Sequence, residues 1–261
     1  MRFRLLLGLL VLLFALPALA NPDFEWLDVR RKGADAMADL ARQRTASSLK
    51  STQTGKSAQT GWTRTFKADV GANHPLAGTR VQVARAYVNG QTQLLFRVLA
   101  GPPGLAGTGV VLNGTKGWLR TPGEKVKPMP QETLFRPLPI LNVPPIVFCA
   151  LEWKDAYGPA VEGEFDQVAV LRLTPRYELG VGARPAKASI SKVYGELIAL
   201  SVNDGKGAQL AELAWAWANK GGPPTEFNLK GPGENATPVR FASEGPPLPA
   251  TKGLFSPTAL K

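Results

Sequence analysis

A single cysteine and a single histidine limit the chemistry this chain can carry. Cys149 has no partner for an internal disulfide. It lies in the apolar run Ile146-Val147-Phe148-Cys149-Ala150-Leu151, which predicts a buried, inert small hydrophobe. His74, in a loop before Pro75, is the one candidate for a histidine metal ligand or a Ser-His-Asp triad, and Cys149–His74 is the one thiol–imidazole dyad to consider. No stretch supplies nucleophile, base and orienting group together, so no enzyme, no cofactor and no metal site is expected. The glycine-rich loop Gly101 to Gly109 lacks a following Gly-Lys-Ser/Thr, and Pro102 and Pro103 remove two amide donors that a phosphate cradle needs. Glu162, Glu164 and Asp166 alternate, which on a strand would put three carboxylates on one face. Beside Gly158-Pro159 and Gly163 they read instead as a solvated loop.

Long hydrophobic runs are also missing. The apolar run Leu5 to Leu16 has twelve residues, short of the ~20 that span a bilayer as a helix. Arg2 and Arg4 precede it and Pro17-Ala18-Leu19-Ala20 follows, the pattern of a secretory signal cleaved after Ala20; the alternative is an uncleaved anchor. No cysteine follows the run, which excludes a lipid-modified N-terminal cysteine. Loss of Arg2 and Arg4 leaves 29 of the 31 cationic residues against 20 acids, a net of +9. That charge could suit anionic membranes or nucleic acid, but the cations are scattered, Arg30-Arg31-Lys32 being the densest cluster. Trp118, Trp215 and Trp217 lie in apolar segments rather than among Arg and Lys, so no nucleic acid is expected as a partner.

What is present is strand pattern. Asn89-Gly90 supplies the two positive-φ residues of a type I′ turn and sets Val88 opposite Gln91. Val81, Val83, Arg85 and Tyr87 then share a face with Thr92, Leu94, Phe96 and Val98, while Gln82, Gln93 and Arg97 fall on the other. A second tight hairpin is predicted at Asn113-Gly114. Further strands are predicted at Leu49–Gln53, Trp62–Ala68, Val168–Pro175, Ala188–Val193, Gly195–Val202, Thr225–Leu229 and Pro238–Ser243. Residues 209–219 are ambiguous. Their Ala, Leu and Glu favour helix, but Ala211, Leu213, Trp215 and Trp217 alternate after a turn, which favours strand. Phe24 to Arg44 has helical spacing interrupted at Gly33, as one helix or two short ones, and Ile146 to Tyr157 reads as a short helix.

Thr121 to Pro145 carries seven prolines yet also Leu134, Phe135, Leu138, Ile140, Leu141 and Val143, too apolar to float free. The expected fold is mainly β: a curved antiparallel sheet forming an incomplete barrel, its apolar face covered by the N-terminal helix and this proline-rich segment as lid. The expected organisation is a signal over 1–20, one domain over 21–244 and a loosely ordered proline-rich tail over 245–261.

Leu94-Leu95-Phe96-Arg97-Val98-Leu99-Ala100-Gly101-Pro102-Pro103, following an export signal and a short helix, resembles the periplasmic outer-membrane lipoprotein-sorting (LolA-like) family. So do Gly107 to Leu112, Gly117 to Pro122, Val170-Leu171-Arg172-Leu173-Thr174-Pro175, and the strand pair Ala188 to Val193 and Gly195-Glu196-Leu197. The resemblance covers Ala34 to Phe241, mostly by order of elements. It implies a half-barrel with a helical lid that carries lipid or lipoprotein acyl chains between membranes, with an inner-membrane transporter and an outer-membrane acceptor as partners. The chain departs from the family in its proline-rich excursion and tail, and no position matches the family's lid-latching polar residue. Val81, Val83, Leu94, Phe96 and Val98 would line the cavity, with Trp118, Leu213 and Trp215 added and Arg85 at the rim beside a ligand head group. The alternative is a non-enzymatic protein that docks to a transporter or envelope complex with no ligand in its core.

Overall fold

A computed structural model describes residues 24–46, 60–128, 137–138, 140–154, 156–176, 184–218, 222–233 and 235–261. The signal segment, the strand expected at Leu49–Gln53 and the middle of the proline-rich excursion lie outside them. Two helices come first, α1 (Phe24–Lys32) and α2 (Ala34–Ala46). They are separated by Gly33 at φ +94°, a backbone region that side chains with a Cβ rarely adopt. The remainder is one antiparallel sheet: β1 (Thr60–Ala68), β2 (Arg80–Val88), β3 (Gln91–Ala100), β4 (Gly109–Asn113), β5 (Lys116–Arg120), β6 (Lys127–Pro128), β7 (Tyr157–Phe165), β8 (Val168–Pro175), β9 (Ala186–Ser191), β10 (Leu197–Asn203), β11 (Gln209–Ala216), β12 (Glu226–Lys230), β13 (Val239–Ser243) and β14 (Leu248–Pro249). Its strands lie in the order β6-β5-β4-β3-β2-β1-β13-β12-β11-β10-β9-β8-β7, with β14 on β1, and the end strands β6 and β7 do not meet.

Curvature follows from what α2 touches. It contacts both β3 and β7, which are nine positions apart in the sheet. In a flat sheet that separation would be about 43 Å at ~4.8 Å per strand, whereas thirteen helical residues span only ~20 Å. The sheet must therefore wrap around α2 as an incomplete barrel. The helix supplies Met37, Ala38, Leu40 and Ala41 to the interior.

The hairpin at Asn89-Gly90 has φ of 50° and 78° at its two turn residues and the expected pairing Val88↔Gln91, Arg85↔Leu94, Val83↔Phe96 and Val81↔Val98. Residues 209–216 form a strand, so alternation outweighs helix propensity there. Several local expectations are corrected. The second tight turn is Gly114-Thr115, because Asn113 pairs with Lys116. The segment expected as a helix from Ile146 is a 3-10 turn over Pro145–Phe148 followed by irregular turns. Glu162 and Glu164 lie on the edge strand β7, not in a loop, and are held in ion pairs: Glu162 with Lys187 at 2.5 Å, and Glu164 with Arg30 at 2.7 Å.

The tail is not loose. Ala250, Phe255 and Leu260 are buried against Ala84, Ala86, Leu95 and Val111 on the outer face. Arg97 Nη1 donates to the Ala259 carbonyl at 2.6 Å, and Arg120 Nη1 donates to that of Leu260 at 2.5 Å. A Cβ on Gly109 would come within 2.5 Å of Leu260 Cδ2, so the absent side chain makes the socket for that leucine. Apolar side chains on the sheet, not tail composition alone, decide the order of this segment.

Candidate functional site

The inner face is the one wrapped around α2. β2 contributes Val81, Val83 and Arg85; β3 contributes Leu94, Phe96 and Val98; β11 contributes Leu213 and Trp215. Each is at most 3% exposed. Trp118 is placed elsewhere. It pairs with Val111, which pairs with Leu95, and this row faces outward under the tail. The inner rows at that level are Leu94–Leu112–Gly117 and Phe96–Val110–Leu119.

A cover closes the inner face. Its second part, after α2, is the stretch 140–156, whose Leu141, Val143, Ile146, Val147, Phe148 and Leu151 are buried. Phe148 stacks on Phe96 with ring centroids 3.9 Å apart. Farther along the sheet Trp62, Phe66, Trp215, Phe227 and Phe241 form a chain of ring contacts, Phe227 stacking on Phe241 at 4.6 Å. The two parts of the cover are tied to each other. The buried Arg42 donates from Nε to the Leu151 carbonyl at 2.6 Å and from Nη1 to Asp39 at 2.6 Å, and Lys154 meets Asp39 at 3.2 Å. The C-terminal end of α2 is tied to the sheet, because Trp62 Nε1 donates to the Thr45 carbonyl and the Leu197 amide donates to Thr45 Oγ1.

Arg85 does not stand at a rim. It is 1% exposed, its Nη1 donates to Glu152 Oε1 of the cover, and its guanidinium carbon lies 5.0 Å from the centre of the Trp215 ring. Arg85 Nε and Nη2, Glu152 Oε2 and Trp215 Nε1 are buried without a hydrogen-bond partner. Such atoms are costly in a low-dielectric interior. Glu152 and Arg42 escaped the sequence reading. The one available signal for Glu152 was a lone acid directly after six apolar residues.

The thiol–imidazole pairing is not formed. Cys149 is fully buried in the cover, where burial pushes its thiol well above its ordinary pKa, whereas His74 is exposed in its loop and accepts the Leu76 amide on Nδ1. Among the described residues no group of His, Cys, Asp and Glu could hold a metal, and no helix is long and apolar enough to cross a membrane. Two clefts of about 240 and 200 Å³ lie along the tail, bordered by Gln82 and Leu248 and by Arg97 and Leu260, away from the inner face.

No known protein-family profile and no curated protein matches the sequence. Solved structures do match in fold. An outer-membrane lipoprotein-sorting protein domain from Vibrio parahaemolyticus superposes with a TM-score of 0.56 at 15% identity, covering 88% of this chain and 98% of that one. A LolA superfamily protein from Nitrosomonas europaea gives 0.53 at 11% identity, over 86% and 97%. A DUF1329 family protein from Desulfovibrio piger gives 0.58 at 15% identity, over 88% and 99%. The match spans 86–88% of this chain and 97–99% of those structures, and the chain has the fold of the outer-membrane lipoprotein-sorting, LolA-like proteins.

Proposed function

We propose that the protein is a periplasmic carrier, exported by a signal cleaved after Ala20, that shields lipid or lipoprotein acyl chains on the inner face of its sheet for transfer between envelope membranes. The observation that carries this reading is the construction of the cover. The apolar lining is closed by two elements outside the sheet, α2 and residues 140–156, whose polar ties run to each other through Arg42, Asp39 and Lys154. Their polar ties to the sheet run from Thr45 to Trp62 and Leu197 and from Glu152 to Arg85, and once these release the two parts move off the lining together. An acyl chain entering beneath them gains ~0.8 kcal/mol per buried methylene, so a long chain offsets several kcal/mol of lost contacts. Loading by a membrane transporter and delivery to a membrane acceptor belong to the same reading.

The test is binding of a fluorescent fatty-acyl probe to delipidated protein. Wild type binds, Phe96→Glu loses binding, and Val161→Glu, a change at a residue 48% exposed on the edge strand, keeps it. Equal binding by wild type and Phe96→Glu would overturn the cavity assignment. The closed interior favours a second reading, an interaction protein docking to a transporter or envelope complex with no core ligand. Mass spectrometry decides between them: co-purifying lipid supports the carrier, and a stoichiometric protein partner without lipid supports the alternative.

A further inference from the structure

On the carrier reading the cover must part from the sheet, and that parting strands a charge. Glu152 belongs to the cover, and its neighbour Leu151 is held to α2 by the buried Arg42. Arg85 belongs to β2, a strand paired on both sides, with Trp62 of β1 and Leu94 of β3 as its neighbours. When the cover lifts, Glu152 leaves with it. The Arg85 guanidinium then remains on an apolar face between Val83 and Tyr87, over the Trp215 ring. An unpaired cation there is disfavoured unless the ligand brings an anion. Even in the closed protein the donors are underused, since Arg85 Nε and Nη2 and the Trp215 indole N–H have no acceptor.

We infer, on the basis of the carrier reading, that the ligand is an acyl chain ending in a carboxylate, and that Arg85 takes this carboxylate in the place Glu152 holds in the closed state. A carboxylate offers two oxygens to the guanidinium fork and carries the compensating charge, whereas an ester of the same chain offers a neutral, weaker acceptor. The head group enters first, to the depth of Arg85, and the methylenes lie along Val83, Leu94 and Phe96. Glu152 acts as an internal competitor, so its charge lowers the affinity for such a ligand.

Delipidated protein is titrated with cis-parinaric acid and with its methyl ester at about pH 8, where the acid is ionised. Wild type is expected to bind the acid about tenfold or more tighter than the ester, the ratio one charge-assisted hydrogen bond confers. Glu152→Gln, whose closed state no longer holds the pair, tightens both ligands several-fold and keeps the acid tighter than the ester by at least the wild-type ratio. The charge-neutral double variant Arg85→Met, Glu152→Gln binds acid and ester alike. If that variant does not fold, the wild-type and Glu152→Gln ratios still decide. Acid and ester binding within twofold of each other in wild type would overturn the head-group assignment and leave the carrier standing. Binding of neither would overturn both.

Discussion

The buried Arg85–Glu152 pair gives a sharp energetic test. Both side chains are at most 2% exposed and are drawn from segments 67 residues apart. Arg85→Met leaves a carboxylate in the interior with no cation, and Glu152→Gln leaves a guanidinium without its anion. Breaking one side of such a pair costs about 3–5 kcal/mol. For a chain of this size that lowers the melting temperature by roughly 6–20 °C, a large part of a total stability of about 5–15 kcal/mol. The pair is also incompletely compensated, with three of its polar atoms lacking partners. Replacing both sides at once by Met and Leu should therefore be neutral or stabilising, by up to ~4 kcal/mol. Denaturant titration of wild type, Arg85→Met, Glu152→Leu and the Met, Leu double completes the cycle. The expected coupling exceeds ~3 kcal/mol. A coupling below ~0.5 kcal/mol, with the two single costs simply adding in the double, would refute a direct buried pair and any role built on it.

Two further predictions concern the outer face and pH. Removing residues 246–261 strips Phe255 and Leu260 from the Ala84–Leu95–Val111 patch; at about 1.5–3 kcal/mol for each large side chain, less the ordering entropy recovered, the melting temperature falls and a hydrophobic dye binds. A truncated protein that melts with the intact one would show that the tail contributes nothing. Glu212, opposite Lys230, has a pKa raised mainly by burial, with Lys230 acting against the shift. Ionising it therefore costs more in the folded than in the unfolded chain, so its unfavourable contribution grows as pH rises from the unfolded value through the folded one. Glu212→Gln should raise the melting temperature at about pH 7, and the gain should vanish near pH 4. A gain that is unchanged or larger in acid would contradict the burial argument.

Local patterns were readable where a short-range rule sets them. The Asn89-Gly90 turn fixed the register of β2 against β3 because two positive-φ residues admit one tight geometry. The strand at Gln209–Ala216 was visible as alternation despite helix-forming composition. Features decided at long range were not readable. Trp118 faces outward because β4 pairs β3 after a loop whose length does not dictate register, so the inner lining inferred from Leu94 and Phe96 could not be extended across it. Glu152 was hidden for the same reason, since nothing near Arg85 in sequence announces an acid 67 residues away. The tail misled through its prolines, which confine regular strand to the two residues of β14 but do not prevent burial: Phe255 and Leu260 lie in 3-10 turns, where Pro257 fits the first turn.

The two covers of the sheet differ in what they fasten, and that difference bears on which one can move. Around β2–β4 the tail closes the outer face while α2 and residues 140–156 close the inner one, so these strands are buried on both sides. A platform of that kind opens last, because every local opening exposes two apolar faces at once. The tail holds it through carbonyls taken by Arg97 and Arg120 and through the Gly109 socket, contacts that leave no charge buried when intact. The inner cover holds it through apolar packing and one buried ion pair whose two halves lie on opposite sides of the seam. Apolar packing is recovered when an acyl chain replaces the cover, methylene for methylene. The ion pair is not, since a neutral chain returns nothing to Arg85. On the carrier reading the seam exchanges for a greasy ligand at its apolar positions, while the Arg85–Glu152 pair and the Thr45 hydrogen bonds to Trp62 and Leu197 are the polar contacts that opening must break.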